Sequence, residues 1–188
     1  MARPYRFFLR NPASNFLKSK LKEKGDVFEL TEKEEPDIFF QLTRVLRGKS
    51  GDTIILVPSQ PEGEIFEYVF SVSDVQKRTI TLSLEKSVQN NNELPFSLEL
   101  ILGLPNKPDK LDFILQKAVE IGVKKIILVT ADFTQLKHHL RPDRMQKIVI
   151  EAAEQSERAI IPEIVEAGPL KSFLQKLSTE DQKKILVA

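Results

Sequence analysis

Around Gln89-Asn90-Asn91-Asn92 the chain changes its period, and that change constrains the fold more than any other feature. Before it, apolar residues mostly recur at every second position. Phe66, Tyr68, Phe70 and Val72 alternate with Glu67, Val69 and Ser71, and Ile80, Leu82 and Leu84 alternate with Thr79, Thr81 and Ser83 across a Lys77-Arg78 turn. A period of two describes half-buried strands. Tyr5–Leu9, Val27–Leu30 and Thr53–Val57 are further short β-rich runs, the last after the turn signal Gly51-Asp52. One helix interrupts them, from Glu35-Pro36-Asp37 to Gly48, with Ile38, Leu42, Val45 and Leu46 on one face. Many short strands with one helix predict a small β-barrel over residues 1–88. The polar stretch 89–95 reads as a linker.

From residue 96 the pattern alternates strand and helix, which predicts an α/β domain over 96–188 and makes the whole an α+β two-domain chain. Phe96–Leu104 is a strand, Asp109 is placed to cap a helix bearing Leu111, Ile114, Leu115 and Ala118, and Gly122 ends it. Lys124–Thr130 completes a βαβ unit with a parallel sheet. A second helix opens at Pro142 and runs to Arg158. Ile160–Val165 is a strand that, because of Pro162, lies at an edge or begins at that proline, and Pro169–Leu177 is a short helix before the strand Lys184–Ala188. That terminal strand, with nothing after it to cover the sheet, reads as an interrupted domain.

Composition excludes several classes. With no cysteine there is neither a disulfide framework nor a thiolate zinc site, in keeping with a reducing cytoplasm, and two adjacent histidines, His138 and His139, argue against a metal centre. No apolar run reaches the ~20 residues that a membrane helix needs. The net charge of +1 gives no bulk field for nucleic acid, so any RNA contact must come from local clusters such as Lys18, Lys20, Lys22 and Lys24, or Arg44, Arg47 and Lys49. The alternating lysines serve equally as a solvated strand edge. No GxGxxG, phosphate-binding glycine loop or GxSxG is present.

On the helix from Pro142, Arg144, Lys147, Glu151, Glu154, Gln155 and Arg158 form one stripe beside Met145, Ile148, Val149, Ala152 and Ala153. The preceding helix carries Asp112, Gln116, Lys117 and Glu120. Spacing alone is met by wet faces with i,i+3 and i,i+4 ion pairs. Polar helix ends bordering one crevice at the strand C-termini would also hold a base edge through a Gln, an Arg and carboxylates.

The wording of these segments resembles the RsmE family, SPOUT-class methyltransferases of uridine N3 in small-subunit (16S) ribosomal RNA. Lys107 through Val123 looks like the family's K-x-D/E-…-QKAxELGV segment. Arg144 with Glu151-Ala152-Ala153-Glu154-Gln155-Ser156-x-Arg158 and Pro162 looks like its EAAEQSxR…P segment. Arg6-Phe7-Phe8, and Arg44-Val45-Leu46-Arg47 ahead of Gly51-Asp52, resemble its PUA-like RNA-binding barrel. A family histidine before the RVLR run is replaced in the region of Asp37-Ile38-Phe39, and the GPEGG and LR-x-ET-A segments that form the family's knot do not occur. The resemblance therefore implies a PUA-like barrel followed by an incomplete SPOUT methyltransferase domain. It implies S-adenosylmethionine as methyl donor, no metal, small-subunit rRNA as partner rather than DNA or membrane, a cytoplasmic location and a homodimer. It puts RNA on Arg6, Arg44, Arg47, Lys107, Lys117, Arg144 and Arg158. The candidates for the chemistry are Glu154, Gln155 and Arg158, with Glu154 orienting Arg158, and Leu186, Val187 and Ala188 border the cofactor. The 188-residue chain alone is then expected to be inactive. A non-catalytic RNA-binding or ribosome-associated module, or a SPOUT enzyme for another nucleotide, is the alternative.

Overall fold

The structure, a computed structural model, describes residues 4–11, 21, 23–59, 64–132 and 139–177. The chain divides into two compact units, residues 1–93 with 153–161, and residues 94–152 with 162–188. The division at Glu93/Leu94 falls in the polar stretch 89–95. Residues 153–161 group with the first unit, whereas sequence reasoning placed them in the second.

The first unit is built on a five-stranded sheet in the order β1-β3-β4-β5-β2: β1 (Tyr5–Leu9), β2 (Val27–Thr31), β3 (Thr53–Pro58), β4 (Phe66–Val75) and β5 (Thr79–Gln89). β1 runs parallel to β3 and the other neighbours are antiparallel. The alternating residues do what their period predicts. Leu56, Phe70 and Leu82 are fully buried in one cluster with Phe7, Leu9 and Leu30, and each such side chain removed from water contributes roughly 1.5–3 kcal/mol. The register of β4 against β5 shifts between Val72 and Asp74, as it does at a bulge. Gly51, at φ +92°, makes the turn into β3 and donates to the Val72 carbonyl at 2.8 Å.

The helix of this unit, α1, is shorter than its pattern predicts. It is α-helical over Pro36–Phe40 and then widens into a π-helical turn over Gln41–Val45, where the Leu46 N–H reaches the Gln41 carbonyl at 2.8 Å. The Thr43 hydroxyl donates to the Phe39 carbonyl at 2.7 Å, competing with the backbone bond that would continue the α-turn. Arg47 closes the turn at φ 52°, a left-handed conformation usually left to glycine.

The second unit holds a three-stranded parallel sheet, β6-β7-β8: β6 (Glu99–Gly103), β7 (Lys125–Thr130) and β8 (Glu163–Pro169). Ile126–Val129 in the central strand are all buried, the continuous apolar run of a strand covered on both faces. α2 (Pro108–Glu120) joins β6 to β7, burying Leu111, Leu115, Ala118 and Val119. Pro108 opens it behind an extended Lys107 with no side-chain cap, so Asp109 lies in the first turn and is not the capping residue that sequence reasoning made it. Gly122 follows its end at φ +95°. α3 (Pro142–Gln155) buries Met145, Val149 and Ile150. β8 begins after Pro162, three residues later than the pattern predicts, and α4 (Leu170–Lys176) follows it. Lys184–Ala188 lies outside the described residues.

Candidate functional site

Both faces of β1 are buried, although only one belongs to the sheet's core cluster. Phe7 and Leu9 join that cluster; Arg6 and Phe8 point the other way. Their side of the strand is served by the segment 153–161, within the same unit. The Phe8 N–H donates to Glu154 Oε1 at 3.1 Å. Farther along the same strand edge, the Arg10 N–H donates to Glu35 at 3.0 and 3.1 Å. The Asn11 N–H adds a third bond to Glu35, at 2.9 Å. Carboxylates thus occupy an edge that another strand would otherwise fill.

Arg6 is 8% exposed and lies 5.4 Å from the Phe8 ring centroid. Its Nη1 donates to the Arg158 carbonyl at 2.8 Å, and its Nη2 donates to Glu67 Oε1 at 2.6 Å. Asn90 Nδ2 donates to the same Glu67 oxygen. Arg158, 6% exposed, donates from Nη2 to Glu93 Oε2. Glu93 Oε1 meanwhile accepts the backbone N–H groups of Ala159 at 2.8 Å and Ile160 at 3.2 Å. Arg158 N donates to the Ala153 carbonyl at 3.0 Å around Glu157 at φ 58°, the six-residue bond of a helix C-terminus with a left-handed residue where glycine is usual.

Three of the expected site residues are placed as follows. Arg6 and Arg158 were expected on RNA, but both guanidinium groups are buried in internal ion pairs and so withdrawn from solvent. Glu154 takes the Phe8 N–H, and Arg158 is held by Glu93. Sequence reasoning missed Glu67, Asn90 and Glu93. By pattern Glu67 is an outward residue of an alternating strand and Glu93 belongs to the linker. The available signal was the pair of arginines beside apolar neighbours, since a buried guanidinium requires a carboxylate partner.

Beside this network lies a cleft of about 500 Å³ whose lining includes Tyr5, Gln41, Leu46, Asn92, Gln155 and Glu157. Three amide side chains and the carboxylates of Glu67, Glu154 and Glu157 give it many acceptors. Arg6 also lines it and neutralises Glu67, so the wall is mixed in charge and rich in oxygen acceptors that suit a group presenting N–H donors.

The other expected contacts are on the surface. Arg44 and Arg47 are exposed on the wide turn of α1 with no ion pair among the described residues, and Lys107 is exposed before α2. Lys117 pairs with Glu120 at 2.8 Å. Arg144 donates to Asp112 at 2.5 and 3.0 Å, and that carboxylate raises the guanidinium pKa further. Lys24 pairs with Glu85 at 3.1 Å; Lys18, Lys20 and Lys22 lie outside the described residues, as do His138 and Leu186–Ala188. Among the described residues no cluster of three metal-ligating side chains occurs, and no helix is long and apolar enough to cross a membrane.

A family model described as an RNA methyltransferase domain matches residues 92–188. The Ribosomal RNA small subunit methyltransferase E of Bacillus subtilis (strain 168) is 29% identical over 171 residues, which cover 88% of this chain and 62% of that protein. Its counterpart in Buchnera aphidicola subsp. Acyrthosiphon pisum is 34% identical over 133 residues, covering 65% of this chain and 49% of the relative. The chain therefore spans roughly half to three-fifths of the length of these relatives. The crystal structure of a Ribosomal RNA small subunit methyltransferase E from Neisseria gonorrhoeae, bound to S-adenosyl methionine, superposes with a TM-score of 0.72 at 26% identity, over 94% of this chain and 67% of that one. A putative methyltransferase from Legionella pneumophila shares the mixed α/β fold, with a TM-score of 0.70 at 20% identity over 97% of this chain and 69% of that one. By its family-model match over residues 92–188, the chain belongs to the RNA methyltransferase domain family.

Proposed function

We propose that the protein methylates N3 of a uridine in small-subunit ribosomal RNA, with S-adenosylmethionine as methyl donor. The match of residues 92–188 to the RNA methyltransferase domain carries this reading, and the names of the relatives support its substrate. The first unit acts as a PUA-like RNA-binding module, and residues 94–152 with 162–188 belong to a SPOUT-type catalytic domain. The protein works in the cytoplasm as a homodimer burying more than roughly 1,000 Å², as stable interfaces do.

S-adenosylmethionine, when bound, supplies an electrophilic methyl group on a sulfonium. The segment that the resemblance assigns to it, Leu186, Val187 and Ala188, lies outside the described residues, which act on the RNA side of the reaction. Uridine N3 carries a proton that must leave before the nitrogen can attack. A base seated in the acceptor-rich cleft meets Gln155, which lines it and positions the uracil edge. Fixing the base against rotation supplies much of the rate, and a general base takes the proton. Arg44 and Arg47, exposed and without carboxylate partners among the described residues, hold the RNA backbone; such contacts position the strand without reading its sequence.

Protein from the whole coding sequence, incubated with methyl-labelled S-adenosylmethionine and small ribosomal subunits, should yield N3-methyluridine in the rRNA. Label on another nucleotide alone would refute the substrate. RNA binding with no transfer under any condition would establish a non-catalytic module instead.

A further inference from the structure

The wide turn of α1 has a cleft on each side. Gln41 and Leu46 line the one beside Arg6; Phe40, Thr43 and Arg44 line the other, where Val75, Gln76 and Lys77 of the β4–β5 hairpin face them across about 500 Å³. Phe40 is 59% exposed there, with Val75, itself 36% exposed, also lining the cleft. A largely solvated phenylalanine on a cleft wall contributes little to the fold.

The polar groups around that ring keep hydrogen-bonding capacity for a ligand. Thr43 Oγ1 spends its proton on the Phe39 carbonyl at 2.7 Å, and Gln76 Nε2 donates to Asp74 Oδ2 at 2.9 Å, leaving the hydroxyl oxygen and Gln76 Oε1 as acceptors. Arg44 and Lys77 have no ion pair among the described residues. Glu32, on the cleft's rim, lies 3.9 Å from Arg78. An apolar protein knob would have to desolvate two unpaired cations at this site. A nucleotide answers every feature at once: a π-face for Phe40, N–H donors for the two acceptors, and phosphates for the two cations.

We propose that this cleft takes one unpaired base of a single-stranded RNA segment, stacked on Phe40, with Arg44 and Lys77 on the flanking phosphates. The proposal rests on the reading of the substrate as RNA and adds a second nucleotide position to it. A strand crossing the wide turn would set its backbone on Arg44 and Arg47 and offer a base to each cleft.

The sequence contains no tryptophan, so Phe40→Trp introduces a single fluorescent reporter at the site. Its emission should be quenched by a short single-stranded oligoribonucleotide, and left unquenched by an abasic oligomer of equal length that binds through phosphates alone. Phe40→Ala should weaken binding of the same oligoribonucleotide on the order of tenfold, the size of one base–aromatic stack, and Phe40→Tyr should restore it. Because Phe40 is exposed, the thermal midpoint of Phe40→Ala should match the parent's. Equal RNA affinity of parent and Phe40→Ala, equal quenching by the abasic oligomer, or no binding of single-stranded RNA by the parent would each overturn the stacking site. None of these results touches the methyltransferase reading, which is decided by methyl transfer to N3.

Discussion

The first unit keeps its arginines in two opposite states. Arg6 and Arg158 are buried, each bound to a partly buried carboxylate, and Arg6 also to a main-chain carbonyl. Arg44 and Arg47 stand in water with no carboxylate partner among the described residues. The buried pair loses hydration, and its attraction to Glu67 and Glu93 offsets that loss only while both partners remain. The exposed pair keeps its full charge for an incoming phosphate. The same residue type thus locks the fold in one place and remains available in another, according to what covers it.

The sharpest way to break this contrast is to remove a buried carboxylate. Glu93→Ala leaves Arg158 without its anion and strips the acceptor from the Ala159 and Ile160 N–H groups. It should cost about 3–5 kcal/mol in urea denaturation. Glu93→Gln, which keeps an oxygen for those N–H groups, should cost less. A loss below about 1 kcal/mol for the alanine variant would show that the network is not holding the segment.

Arg44→Ala should do the reverse. Stability should move by no more than about 0.5 kcal/mol, while the slope of log affinity against log salt for single-stranded RNA should fall by about 0.7. An unchanged slope would remove Arg44 from the RNA surface. Arg47→Gly separates the two roles within one residue. Relief of the left-handed backbone should raise stability by up to about 1 kcal/mol, while RNA binding weakens through the lost charge. A simultaneous fall in stability would mean that the guanidinium holds the turn.

Smaller effects are expected in exposed pairs. Lys147 and Glu151, 3.7 Å apart one helical turn from each other, should be worth only about 0.3–0.5 kcal/mol on Lys147→Ala. Hydrogen bonds from Lys24 and Ser71 hold the Glu85 carboxyl below the usual glutamate range. Its contribution is therefore present above that range and is lost as pH falls through the lowered value. The thermal midpoint of Glu85→Gln should accordingly show a slightly shallower fall with acid below about pH 4 than the parent's.

The strands were legible because their apolar residues recur with the pleat, and the parallel βαβ unit because its central strand is apolar throughout. α1 was read too long, since an apolar i, i+4, i+7 series does not register a threonine that turns its hydroxyl back on the helix. The candidate site was half legible. The EAAEQSER segment and the Arg6 region each stand out in the sequence, but not as neighbours, because no local pattern says which residue lies across from Arg6. That information resides in a contact between positions 152 residues apart in sequence. Phe40 was passed over for a similar reason. Within the helix period it is one more apolar residue, and only the hairpin beside it makes a cleft.

The return of residues 153–161 to the first unit sets an order of events during synthesis. β1 is among the first elements to leave the ribosome, yet its outer face waits for Glu154 and Arg158. At roughly 5–20 residues per second that delay is about 8–30 seconds, during which Arg6 and the bare strand edge face the cell. A sheet closed by a late segment is slow to complete and vulnerable until then. Fusing residues 153–161 directly behind Glu93 would bring the seal within reach almost at once.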